Sequence, residues 1–163
     1  MKKSFLTVLM LASSFSVLAA QKLALNVELS PAGSFTATTD KIKGDVVKNK
    51  DGSVSAKELT VAIRNINTGI DLRDEHFRKH LKFKEHPKAV LSDIKGKDGK
   101  ATGMLEIAGV KKPIDITYSE EGSNINAKFK VLASEFKLSD AQYMGVGVED
   151  GIEGEVSLPF KSL

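Results

Sequence analysis

The stretch NINTGIDLRDEHFRKHLKFKEHPKAVLSDI, residues 65–94, decides how the rest of the chain is read, because it sets one short charged helix inside a run of alternating strands. A strand ends near Thr68-Gly69, the helix opens at Asp71, and Pro87 precedes a return to extended structure in AVLSDI. Asp71 is placed to accept a hydrogen bond from an orphan amide at the helix start. Asp74 and Glu75 put negative charge in the first turn, and Arg78, Lys79 and Lys82 put positive charge in the last, each sign matching the helix dipole. Phe77 and Leu81 stand four residues apart and Phe83 follows, so the helix carries a narrow apolar stripe to press on the rest of the protein. One helix among strands predicts a lid or plug on a closed sheet.

On both sides of this stretch the apolar residues recur with period two. Leu23, Leu25, Val27 and Leu29 alternate with polar or small neighbours; Phe35, Ala37, Ile42 and Val46 mark a second strand with an irregularity at Asp40; Leu59, Val61 and Ile63 form the third. After the helix come strands around Leu91, Leu105 and Ile107, Ile114 to Tyr118, Ile125 to Val131, and Ile152 to Phe160, separated by turn signals such as Gly96-Lys97-Asp98-Gly99. Residues 134–151 break the alternation and read as a short helical turn and a loop containing Phe136 and Met144. The predicted class is all-β: eight antiparallel strands, one short helix after the third and a short helical turn before the last. Closing such a sheet into a barrel removes its edges, and a barrel of this size either is filled by side chains or holds one small ligand. Periodicity leaves both open, and leaves a two-sheet sandwich open as well.

The first twenty residues read as a secretory signal. Lys2 and Lys3 precede an apolar core too short to span a bilayer, and Val17-Leu18-Ala19-Ala20 offers cleavage after Ala19 or Ala20. The expected organisation is a signal peptide over 1–19 and one domain over 20–163, periplasmic or secreted. Two of the 24 basic residues leave with the signal, so 22 face 21 acidic ones and the domain is close to neutral. That balance argues against a nucleic-acid partner and against an anionic membrane surface, either of which needs a concentrated positive face. The chain has no Cys, which excludes thiol chemistry and a lipid anchor on a Cys after Ala20, and leaves burial and hydrogen bonding to hold an exported fold.

Several segments together resemble the YceI-like family of exported polyisoprenoid-binding proteins. Asn67-Thr68-Gly69 followed by Asp71, Arg73, Asp74, His76 and Phe77 is similar to the family's Thr-Gly turn and Arg-Asp-x-His helix. Phe83 with His86-Pro87-Lys88-Ala89, Gly109-Val110-Lys111-Lys112-Pro113 and Glu135-Phe136-Lys137-Leu138 resemble further family segments. Lys111 stands where the family has a hydroxyl residue, His86 where it has Tyr or an aliphatic, and no Asp precedes Phe35. The resemblance implies a lipocalin-like barrel whose apolar bore holds a long-chain lipid or isoprenoid, with the helix beside its mouth.

On that reading the expected lipid-binding residues are Leu25, Val27, Phe35, Leu59, Val61, Ile63, Leu105, Ile107, Ile116 and Phe129 along the bore, with Phe77, Leu81, Phe83, Phe136 and Met144 at its mouth. Arg73, Asp74 and His76 form a polar group able to meet a head group through charge-assisted bonds, or to tie the helix to its neighbours. His76 and His80 have an i, i+4 spacing, but Glu75 directly precedes His76, so HExxH is absent; a hydrogen-bonded His76 and a solvated His80 are expected, with no metal and no cofactor beyond the lipid. No nucleophile elbow or phosphate loop is found and no catalytic residue is assigned. The expected function is lipid carriage or storage with transient membrane contact, as monomer or homodimer. A small barrel enzyme acting on a lipid with His76 as base, or a filled-core envelope module, are the alternatives.

Overall fold

Residues 20–163 are described here from a computed structural model, and the predicted signal segment 1–19 lies outside the described residues. The strands are β1 (Lys22–Ser30), β2 (Ser34–Thr39), β3 (Ile42–Lys43), β4 (Val46–Lys48), β5 (Val54–Ala62), β6 (Lys88–Lys97), β7 (Lys100–Ile107), β8 (Val110–Glu121), β9 (Asn124–Leu132), β10 (Gln142–Tyr143) and β11 (Val146–Ser162). One helix, α1 (Asp71–His80), lies between β5 and β6, and 3-10 turns cover Ile63–Asn65 and Ala133–Phe136.

The sheet runs β2-β1-β11-β4-β5-β6-β7-β8-β9, and β9 returns to β11 to close it. The closed circuit therefore has seven members, not the eight expected, with β1, β2, β3 and β10 added to it. The difference arises in the second expected strand, which is broken into β2, β3 and β4. Thr39 Oγ1 accepts the Lys41 amide at 3.0 Å across the first break. At the second, Gly44 has φ +116° and lies so close to the Glu58 carbonyl that a Cβ would come within 2.1 Å of its oxygen, so only glycine passes. The break lets the segment change partners: β2 pairs with β1, while β3 and β4 pair with β5. It also puts the helix after the fifth strand rather than the third. One contact departs from the expected antiparallel pattern, since Phe160–Ser162 at the end of β11 runs parallel to β4.

Side-chain alternation follows the ladder. On β9, Ile125, Ala127 and Val131 are buried while Lys128 and Lys130 are exposed, and on β8, Ile114 and Ile116 are buried on either side of exposed Asp115. A bulge in β6 between Ser92 and Lys95, with Asp93 at φ +55°, shifts the inward phase from Ala89 and Leu91 to Ile94 and Gly96. In β5 the same shift separates Ala56 from Leu59. One end of the barrel collects the C-terminal ends of β1, β5, β7 and β9 and the starts of β6, β8 and β11; α1 and both 3-10 turns sit there, and it is called the helix end below.

The helix itself differs at its start from the sequence expectation. Asp71 is its first residue, Ile70 occupies the cap position, and no side chain caps it directly. Its other end closes as a Schellman motif: the Lys82 amide donates to the Lys79 carbonyl, the Phe83 amide to Arg78, and Lys82 takes φ +53° where glycine is usual. Lys82 thus lies just beyond the helix, whose last turn carries Arg78, Lys79 and His80.

Candidate functional site

The interior is apolar throughout its height but is not equally covered. Val61, Leu105 and Ala127 are each 8% exposed and Val27 4%. Their neighbours on the same faces at mid-height, Leu25, Leu59, Leu91, Phe129 and Val156, are only half-buried. Gly154 shapes this belt: it pairs with Phe129 on one side and Leu25 on the other, and a Cβ on it would come within 2.1 Å of the Phe129 ring. The missing side chain lets the ring lie flat across the strand, as aromatic residues do over glycine in a curved sheet. Two surface hollows, of about 430 and 630 Å³, lie on the barrel wall and are lined chiefly by outward polar side chains such as Lys128 and Glu155, or Lys95 and Lys100. The first also touches Ala127 and Val156 and the second Ala101 and Ile116, but neither contains Leu25, Leu59, Leu91 or Phe129.

The helix end is closed in two layers. Ile63, Ile66, Phe136 and Leu138, 1–7% exposed, form a buried plug supplied by the two 3-10 turns and the residues after them. Around it Phe35, Phe77, Leu81, Phe83 and Ile107 are half-buried against the core. The cap is held by polar bonds to side chains of α1. Asp74, 5% exposed, accepts both the amide and the hydroxyl of Thr68 at 2.6 Å through Oδ1, and its Oδ2 lies 3.8 Å from Arg78. Burial pushes the Asp74 carboxyl up, but the two Thr68 hydrogen bonds and the Arg78 and Arg73 charges outweigh it and hold the pKa below the ordinary value. Arg73 donates to the Thr68 carbonyl and lies over the Phe35 ring, 4.4 Å from its centroid. His80 Nε2 is 2.7 Å from the Leu138 carbonyl. A second clasp has the same form: Asp150 accepts the Ser134 amide and hydroxyl at 2.6 and 2.7 Å, which lowers its pKa too and ties the Ala133–Phe136 turn to β11.

The structure places the residues singled out in the sequence as follows. Leu25, Phe35, Leu59, Val61, Ile63, Leu105, Ile107, Ile116 and Phe129 belong to the core cluster, as do Phe77, Leu81, Phe83 and Phe136, and Val27 is buried on the face of β1 that carries Leu25. Phe136 is 1% exposed, so it plugs the end and does not gate it. Met144 does not gate a mouth: it is 86% exposed, on the tight turn between β10 and β11, and is not part of this cluster. Of the polar group, Asp74 is turned to Thr68 and Arg73 to Thr68 and Phe35, while His76 is exposed on the helix surface. His80, expected to be solvated, is the residue that joins α1 to Leu138. Thr68, Leu138 and Gly154 were not singled out as site residues. The Thr68 bond to Asp74 spans six residues and follows no capping pattern readable from spacing.

A family model for the YceI-like domain matches residues 14–161. The chain belongs to the YceI-like family. Among solved structures it is similar to BcnA of Burkholderia cenocepacia, with TM-score 0.67 and 16% identity over 84% of this chain and 94% of that one. It is also similar to a polyisoprenoid binding domain from Saccharophagus degradans, implicated in plant cell wall breakdown, with TM-score 0.62 and 15% identity over 85% and 92% of the two chains. A Campylobacter jejuni YceI protein matches with TM-score 0.56 and 21% identity over 77% and 84%. At these identities the likeness concerns the fold, an all-β lipocalin-like barrel with few helices. No curated protein sequence matches the chain. The YceI-like segment takes in all the strands described above except the last residue of β11, so the half-covered mid-height belt and the helix cap both lie within the family domain.

Proposed function

We propose that this YceI-like protein is exported and binds one long-chain lipid, a polyisoprenoid or fatty acid derivative, inside its barrel, for transport or storage and without chemical conversion. The observation that carries this reading is the mid-height belt: Leu25, Leu59, Leu91 and Phe129 belong to the core cluster yet are only partly covered. Membership of the family and the polyisoprenoid binding domain among its structural relatives support the same ligand class. Each methylene moved from water into such a belt is worth about 0.8 kcal/mol, so ten give about 8 kcal/mol before the ordering of chain and side chains is subtracted. No specific polar contact is then required for retention, and Arg73 and Asp74 act as the hinge of the cap. Transient contact with a membrane is where the lipid enters and leaves.

Organic extraction of the purified protein followed by mass spectrometry tests the reading; one equivalent of lipid is expected, and an empty extract from native protein counts against it. Ile107→Glu, which puts a charge beside the plug at the end of β7, is expected to abolish uptake of a long-chain lipid while the barrel stays folded by circular dichroism. Undiminished uptake in the folded variant removes Ile107 from the lipid's path.

A further inference from the structure

The two ends of the barrel are closed in different ways. The helix end has α1 and both 3-10 turns across it. At the far end β4 and β5, β6 and β7, and β8 and β9 are joined by the short turns 49–53, 98–99 and 122–123. Among the described residues, side chains alone close that end. Lys48 pairs with buried Val54, and Glu120 pairs with buried Ile125, whose partner on β11 is buried Leu158, so both charged residues stand on the inner face of the wall. Their strands are not neighbours: β11 and β9 lie between β4 and β8 on one side of the circuit, and β5, β6 and β7 on the other. The Lys48 ammonium nevertheless meets the Glu120 carboxylate, so this ion pair crosses the mouth. Lys48 also lies 5.8 Å from the centre of the Phe160 ring, which belongs to the core cluster. The Tyr118 ring reaches from β8 across β7 to Gly96 on β6, where a Cβ would come within 2.9 Å of it. Val54, Ile125 and Leu158 are 4–6% exposed, as well covered as the plug at the other end, and the half-covered belt lies between these two closures.

We infer that this floor of side chains, the Lys48 to Glu120 ion pair over Phe160 and Tyr118, sets the length of apolar chain that the barrel accepts, the chain entering methyl end first from the helix end. The inference rests on the lipid reading above. A chain gains with each methylene that comes to lie in the half-covered belt. One that reaches the floor must instead part closely packed side chains and press its methyl against an ion pair, which takes solvent from the charges and returns no hydrogen bond. Affinity therefore climbs with chain length and stops climbing where the methyl meets the floor.

Competition between chain lengths tests it. The delipidated protein is offered an equimolar mixture of straight-chain fatty acids of increasing length, separated from the unbound acids and extracted, and the retained acids are measured by mass spectrometry. In the parent, retention should rise by up to about fourfold for each methylene added and then fall away beyond one length. Lys48→Ala/Glu120→Ala removes two side chains that are each 34% exposed, so the barrel should stay folded by circular dichroism, and the limit should move to longer chains. The first acid beyond the parent's limit should then be retained about fourfold more, the worth of one further buried methylene. Phe160→Ala should move the limit the same way. Ala56→Leu, which adds bulk next to Val54 on the inner face of β5, should move it to shorter chains. Lys128→Ala/Glu155→Ala removes an ion pair from the outer face and should leave the limit where it stands. A limit unmoved in either folded floor variant, an equal shift in the outer-face variant, or a parent that shows no limit overturns the floor and leaves lipid binding in place. Retention of no acid at any length by the parent removes the lipid reading and the floor with it.

Discussion

The barrel wall and the helix that covers one of its ends are held by different forces. Wall strands share long backbone ladders, such as the nine pairs joining β9 to β11, and bury apolar faces behind them. The helix α1 is tied down by a few side-chain bonds, Asp74 to Thr68, Arg73 to Thr68, Arg78 to Ile66 and His80 to Leu138, and by partly covered aromatic and aliphatic contacts. Losing one wall contact disturbs a cooperative unit, whereas losing one helix contact costs only the local free energy of that cap. Under the lipid reading proposed above, this division would let the cover lift while the wall stays closed.

The largest effect that would sharpen the contrast is expected from Phe136→Ala. Phe136 is 1% exposed and fills the centre of the plug, so its removal should lower the unfolding free energy by about 3–5 kcal/mol in urea, with the slope unchanged. A loss below about 1 kcal/mol would mean that the plug collapses onto the gap and belongs energetically with the helix. Asp74→Ala should come next, at about 2–3 kcal/mol, because it strips two hydrogen bonds from buried Thr68 and leaves Arg78 and Arg73 without their carboxylate. Its signature is local: amide exchange should rise across 71–80 while β7 to β9 keep their protection. Faster exchange spread evenly over the wall would break the distinction between the two regions.

Acid provides a version of the same experiment without mutation. The Asp74 and Asp150 carboxyls are both held below their ordinary 3.8 in the folded protein, so each contributes stability that is complete above that value. The contribution is lost as pH falls through the lowered folded pKa. Amides of the helix and of 133–136 should therefore stay protected from neutral pH to about 4 and loosen below it, ahead of the wall. In Asp74→Ala the helix should already be loose at neutral pH and lose its acid step. Loosening of the helix already between pH 5 and 7 in the parent would show that Asp74 does not set its acid step.

Alternation made most of the wall legible, because in a barrel each inward residue has the same neighbours whichever strands pair. Leu25, Val61, Leu105 and Phe129 were placed by counting alone. What counting missed depends on backbone geometry that side-chain type does not encode. The Gly44 kink divides one strand into three, and the parallel contact of Phe160–Ser162 with Val46–Lys48 follows from that division. Met144 was misplaced because an apolar residue in an irregular loop has no period to set its direction. Asp74 read equally well as a head-group contact or a structural tie; its bond to Thr68 spans six residues and takes shape only once the turn at Gly69 has formed. The resemblance located the cap but not the bonds that fasten it.

His80 offers the finest adjustment of the contrast between wall and cap. Its ring is part-buried and reaches the carbonyl of Leu138, fifty-eight residues away, so it ties the helix to the later half of the plug as Arg78 ties it to Ile66 in the earlier half. His80→Ala should cost about 1 kcal/mol, the usual worth of one such bond, and raise exchange in the last turn of the helix and at Leu138 together. His80→Gln, whose amide can still donate, should recover most of the loss. If Leu138 keeps its protection when the helix end loosens, then the plug is independent of the cover, and the helix can open fully without uncovering Phe136.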